Sequence, residues 1–200
     1  PGAVEAICDG VDSDCDGAGT GYAAAVDGQE YETIQRAVEA AGDGATIQVC
    51  PGTHREQVRI ADGAVLTLTS WSGDAGDTVL DGDHKWTILY AGCNSEVVVS
   101  HLGFEHGLAE DWFGEGGGAV GGAIHSQSSN LCVESCDFSE NESEMDGGGI
   151  WFGRPRNCED PDVGRRLSVS DSAFSGNHGM VAGGALRVLD PRYHDGDVTS

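Results

Sequence analysis

Apolar residues recur along this chain in two periods. Ile34, Ala37, Val38 and Ala41 fall at i, i+3, i+4 and i+7, behind Thr33 as an N-cap and ahead of Gly42 as a stop, which predicts one short amphipathic helix. Beyond it the period is two. Ile47 and Val49, Val58 and Ile60, Leu66 and Leu68, Val97 and Val99, Leu131 and Val133, and Leu167 and Val169 are strand-like pairs, separated by Gly, Asp, Asn and Pro. No second helical pattern follows.

The strand-like pairs belong to a repeat. Val97-Val-Val-Ser-His-Leu-Gly-Phe104, Leu131-Cys-Val-Glu-Ser-Cys-Asp-Phe138 and Leu167-Ser-Val-Ser-Asp-Ser-Ala-Phe174 superpose residue for residue, at spacings of 34 and 36. Each block leads into a Gly-Gly-apolar stretch: Gly121-Gly122-Ala123-Ile124, Gly148-Gly149-Ile150 and Gly183-Gly184-Ala185-Leu186. Two blocks end Phe-Ser-x-Asn, at Phe138 to Asn141 and at Phe174 to Asn177. A unit of short strands cannot bury its own apolar side chains, so neighbouring units must stack and share a core. The expected fold is all-β, a parallel β-solenoid. Its interior ladders would be Val97, Leu131 and Leu167; Val99, Val133 and Val169; and Phe104, Phe138 and Phe174.

The segment Tyr31-Glu-Thr-Ile-Gln-Arg-Ala-Val-Glu-Ala-Ala, followed by Thr46-Ile-Gln-Val-Cys-Pro-Gly-Thr-His-Arg-Glu-Gln-Val58, resembles the opening of right-handed parallel β-helix proteins of the pectin lyase-like type, such as pectin methylesterases. The Gly-Gly-Ala-Ile and Phe-Ser-x-Asn pairs resemble repeats of bacterial polymorphic outer membrane proteins and adhesin-type passenger domains. These resemblances span most of residues 31–190 and imply a right-handed parallel β-helix whose first coil is capped by the short α-helix. They do not imply one function, because that helix carries lyases, esterases, hydrolases and adhesins. The esterases' later motifs with their paired aspartates are absent, so no catalytic residue is carried over.

Composition narrows the partners. Ten Lys and Arg against 34 Asp and Glu give a net charge of −24, which repels phosphate backbones and anionic lipid and attracts divalent cations. Nucleic acid is therefore not expected as a partner. Without an apolar run long enough to cross a bilayer, neither is membrane insertion. The chain begins Pro-Gly, with no Met before Met145, and is expected to be a processed or excised segment. Seven Cys suit an oxidising place: extracellular, cell-surface or periplasmic. Cys132 and Cys136 share one strand, about 13 Å apart if extended, too far to bond each other. Cys136 takes the inward place of Leu102 and Ser172 and is expected as a buried free thiol. Cys50, Cys93, Cys132 and Cys158 are left for two bridges of unspecified connectivity.

Residues 1–17 form a separate chemical object, 18–30 a linker and 31–200 the solenoid. Asp9, Asp12, Asp14 and Asp16 lie between Glu5 and Gly17, the first three bracketed by Cys8 and Cys15. Asp12, Asp14, Asp16 and Gly17 match the start of an EF-hand loop, but its closing Glu would fall on Ala23. The segment resembles an acidic Cys-Asp-Gly metal-binding motif of bacterial secreted and surface proteins, which implies Ca²⁺ as the cofactor. A Cys8–Cys15 disulfide would pre-shape the loop. A solvated acidic tail is the alternative.

Trp112-Phe113-Gly114 and Trp151-Phe152-Gly153 repeat about one coil apart beside acidic clusters, as aromatic platforms for sugar rings do. Trp151 equally fits a residue that covers the solenoid. Arg154 and Arg156, near Glu159, Asp160 and Asp162, are the one constellation a polysaccharide lyase would use; a solvated mixed-charge loop is the plainer reading. His101 and His106 with Glu105 offer metal-ligand chemistry, but their spacing favours ordinary surface positions. Val198-Thr-Ser200 aligns with the start of another coil, so further coils or a partner chain are expected at that end. The expectation is an adhesin-like or assembly module, stabilised by Ca²⁺ and disulfides and more a binder than an enzyme. The alternatives are a polysaccharide lyase or hydrolase and a glycan-binding protein without turnover.

Overall fold

A computed structural model describes residues 8, 21–110, 120–127, 130–153, 158 and 165–189. The chain opens with a hairpin, β1 (Ala24–Val26) and β2 (Gln29–Tyr31), and then the helix α1 (Ile34–Ala40). The first coil is β3 (Ala45–Val49), β4 (Gly52–His54) and β5 (Val58–Ile60), and the second is β6 (Val65–Ser70), β7 (Thr78–Asp81) and β8 (Leu89–Ala91). The third coil is β9 (Glu96–Ser100), β10 (Gly103–Glu105), β11 (Leu108–Ala109) and β12 (Ile124–Ser126). The fourth is β13 (Asn130–Glu134), β14 (Asp137–Ser139), β15 (Glu142–Ser143) and β16 (Ile150–Gly153). The fifth is β17 (Arg166–Ser170), β18 (Ala173–Ser175), β19 (His178–Gly179) and β20 (Leu186–Leu189).

Corresponding strands of successive coils pair in parallel, so the molecule is a parallel β-helix. Wall A is β3-β6-β9-β13-β17, extended by β1 and β2 into a seven-stranded sheet; wall B is β4-β7-β10-β14-β18; wall C is β5-β8-β12-β16-β20. A three-stranded sheet, β11-β15-β19, lies between walls B and C.

The register is the one that the repeats require. Val97, Leu131 and Leu167 are direct neighbours, as are Val99, Val133 and Val169. Phe104 pairs with Phe138 and Phe138 with Phe174, their rings stacked nearly parallel at centroid distances of 5.0 and 4.7 Å. Period-two strands put every second side chain into one shared interior, and stacking buries each rung under the next. The same arrangement buries Leu66 and Leu68, Ile47 and Val49, and Leu80.

Asn in Phe-Ser-x-Asn makes a polar ladder at the turn after wall B. Asn141 is buried; its amide donates to the Phe104 carbonyl and to Asn177 Oδ1, both at 2.9 Å, and its Oδ1 accepts from Gly107 N–H at 2.8 Å. Asn177 repeats the donation one coil later, to the Phe138 carbonyl at 2.9 Å. The glycines open a neighbouring turn. Gly121, Gly147 and Gly183 hold φ of 75°, 66° and 64°, the left-handed region that glycine enters without cost. The equivalent triplets are thus Gly121-Gly122-Ala123, Gly147-Gly148-Gly149 and Gly183-Gly184-Ala185.

The first coil is closed by three devices. The hairpin lays β1 antiparallel on β3, turning through Asp27 and Gly28 at φ of 51° and 76°. Helix α1, capped by Thr33, which accepts from Arg36 N–H, packs Ile34, Ala37 and Val38 onto the core end. Gln35 acts as a missing strand for wall C: its Oε1 accepts from Arg59 N–H at 2.7 Å and its Nε2 donates to Arg59 O at 3.3 Å.

Three expectations change. Residues 24–31, expected in the 18–30 linker and at the solenoid's start, form the closing hairpin, because the Asp27-Gly28 pair, both at positive φ, turns the chain back on the apolar Ala24–Val26. Cys8 bonds Cys50 rather than Cys15; Cys8 N–H donates to Glu30 Oε1 at 3.1 Å and stands beside the end of β3. The second bridge is Cys93–Cys158, so Cys132 is not in a bridge: it sits mid-strand in wall A between Val98 and Ser168, with no cysteine on either side. Cys136 is a buried free thiol, as its inward place predicts.

Candidate functional site

Of the residues singled out in the sequence, Asp9, Asp12, Asp14, Asp16, Cys15, Trp112, Phe113, Arg154 and Arg156 lie outside the described residues. Trp151 lies on the outer side of β16 and is only 5% exposed. Its indole lies along the strand over Gly153, where a Cβ would come within 2.6 Å of the ring. It covers the solenoid instead of offering an open face. His101 and His106 occupy separate turns on either side of β10.

Trp151 belongs to a row that sequence reasoning missed. Arg59, Tyr90, His125, Trp151 and Arg187 are register neighbours on the outer face of wall C. Arg59 places its guanidinium 4.7 Å from the Tyr90 ring centroid, Tyr90 meets His125 at 5.1 Å, and His125 meets Trp151 edge-on at 4.8 Å. The signal was present: each of these residues directly follows the first apolar residue of a wall C strand. Tyr90 donates to Gln127 Oε1 at 2.8 Å, Gln127 Nε2 lies 3.2 Å from His125 Nε2, and the His125 ring bonds the Val120 backbone. Burial lowers the His125 pKa to about 4, opposed by that backbone bond and aided by the nearby Arg59 charge, so the ring is neutral at ordinary pH. The disulfide to Cys93 draws Cys158, which follows β16, back to the second coil. Arg165 Nη1 ties the chain down again on the carbonyls of Gln127 and Gly153, at 2.9 and 3.1 Å.

Where the row begins, a cavity of about 640 Å³ opens between α1 and the first two coils. Val38, Ile60 and Leu66 contribute apolar lining, and Glu39, Asp43, Asp62 and Arg59 contribute charge.

A second row of polar groups runs along the turn beyond wall B. Asp81, almost wholly buried, takes Arg55 Nε on one oxygen at 3.1 Å and His106 Nδ1 on the other at 3.2 Å. His106 Nε2 faces Glu140 Oε2 at 3.5 Å, and the His84 ring lies 4.7 Å from that of His106. Among the described residues no three His, Cys, Asp or Glu side chains already converge as a metal-binding group.

The fifth coil is the third surface. Leu186 and Val188, register partners of the buried Ile150 and Phe152, are 37% and 46% exposed. Leu167, Val169 and Phe174 are only half-buried, and Met180 and Val181 stand exposed beside them. Leu167, Val169, Phe174, Leu186 and Val188, whose register partners are interior in the second to fourth coils, thus form an apolar surface at this end. No protein-family model matches the chain, and neither curated proteins nor solved structures yield a match.

Proposed function

We propose that this protein is an extracellular or cell-surface interaction module, a rigid β-solenoid that works by end-on association and not by turnover. The observation behind the reading is the contrast between its ends. The first coil is closed by a hairpin, a helix and Gln35. Among the described residues nothing equivalent covers Leu167, Val169, Phe174, Leu186 and Val188. An apolar coil end with unpaired strand edges is a template for another coil. We take its occupant to be a further β-coil, supplied in the isolated chain by the last coil of a second copy.

Two disulfides accord with an oxidising location. Ca²⁺ bound by Asp9, Asp12, Asp14 and Asp16 belongs to the same proposal, and the Cys8–Cys50 bridge would moor that acidic segment to the closed end. The adhesin-like and assembly-subunit readings are two forms of it. A glycan-active enzyme would need Trp151 uncovered, and its arginines, Arg154 and Arg156, fall outside the described residues.

Light scattering over a range of concentrations tests the proposal. The chain should associate reversibly, more strongly as salt or Ca²⁺ screens its net charge of −24. Val188→Asp should shift the equilibrium at least tenfold toward monomer, since it places a charge in the contact. Monodisperse monomer for the unaltered chain under all these conditions would sink the reading.

A further inference from the structure

We propose that His84, His106 and Glu140 form a Zn²⁺ site on the turn edge beyond wall B, with Asp81 as the carboxylate that positions His106 for it. This proposal is independent of the end-on association. His106 and Glu140 take the same place in successive coils, two residues after the stacked Phe104 and Phe138, so the solenoid itself sets one above the other. A tetrahedral ion with bonds of about 2.0–2.2 Å holds its ligand atoms about 3.4 Å apart, and two imidazoles on it have ring centres about 5 Å apart. His106 Nε2 and Glu140 Oε2 are 3.5 Å apart, and the His84 and His106 ring centres 4.7 Å. One edge of the coordination figure is already in place, and the second imidazole stands at its distance.

The supporting groups also fit. A metal-binding imidazole commonly gives its other nitrogen to a carboxylate, which fixes the ring and its tautomer. Asp81 Oδ1 does this for His106 Nδ1 at 3.2 Å, and is itself fixed by Asp83 N–H at 3.0 Å. Arg55 holds the other Asp81 oxygen at 3.1 Å, so Asp81 is engaged as a support. Lys85, the nearest ammonium in sequence, is paired to Asp83. The three donors do not yet meet at one point. The exposed His84 ring has room to turn toward the His106–Glu140 edge, and a water would take the fourth position. Two imidazoles and one carboxylate select a borderline ion such as Zn²⁺ over the all-oxygen preference of Ca²⁺.

Calorimetric titration of the chelator-washed full chain with Zn²⁺ tests this. Because the acidic segment offers carboxylates too, Asp12→Asn with Asp14→Asn serves as a control and should leave the site intact. His106→Gln should abolish it, and His84→Ala and Glu140→Gln should each weaken it at least tenfold. Asp81→Asn should weaken it by about ten- to a hundredfold. X-ray absorption at the zinc edge of the unaltered protein should show two imidazoles, a readout that needs no variant to fold. No site tighter than millimolar, His106→Gln titrating like the unaltered chain, or an all-oxygen zinc shell would each overturn the proposal and leave a row of ordinary ion pairs.

Discussion

His125 and Asn141 show what the stacking asks of single residues. His125 is neutral because burial lowers its pKa from 6.5 to about 4. The unfolded chain takes up a proton below pH 6.5 that the folded chain refuses until about pH 4. Stability tied to this ring is therefore intact above the unfolded value, drains away as pH falls through that window, and is gone below it. The loss is on the order of 3 kcal/mol. Urea unfolding at stepped pH should show a smaller acid loss between those limits for His125→Gln than for the unaltered chain; parallel curves would refute the assignment. Asn141 supplies a donor and an acceptor to buried backbone groups of Phe104 and Gly107, and a second donor to the half-buried Asn177. Asn141→Ala strands the Gly107 N–H and the Phe104 carbonyl and should cost about 2–3 kcal/mol in urea unfolding. Asn141→Asp should not rescue it, because a carboxylate cannot donate to Phe104. Cys136 stays inert for a related reason: burial pushes its thiol up to about 11.

At the level of elements, the glycine turns decide whether coils can approach. A Cβ on Gly122 would lie 2.4 Å from the carbonyl oxygens of Glu142 and Gly148, both backbone atoms of the next coil. Gly122→Ala should therefore cost at least about 3 kcal/mol or prevent the third and fourth coils from stacking. Gly42→Ala, with open space around its Cβ, should change thermal stability by no more than about 0.5 kcal/mol. Much of this was legible in the sequence. Period-two pairs at a regular spacing fixed the ladders of Leu131, Val133 and Phe138, because a shared interior admits only one register. The Asp27-Gly28 turn was legible too, though its composition read as a linker. The Cys8–Cys50 pairing was not, since it depends on where the end of β3 lies in space. Nor was the meeting of Asp81, His84, His106 and Glu140: only stacking brings these turns together, and the second coil lacks the block that aligns the later ones.

Over the whole molecule the two ends differ in kind. Closing the first coil takes dedicated elements, the hairpin and α1, whereas the fifth ends in side chains whose equivalents the second, third and fourth coils bury. A surface of that sort on a protein of charge −24 is held apart from its own copies by repulsion at low salt and brought to a partner when the charge is screened. Association should then change the last coil and leave the middle ones alone. The most direct measurement is amide hydrogen exchange, residue by residue, in dilute and in associated samples. The account predicts slow exchange for β9 and β13 in both, fast exchange for β17 and β20 when dilute, and marked protection of those two strands on association. Equal, concentration-independent protection of β17 and β13 would contradict it, because the fifth coil would then be an interior rung already covered.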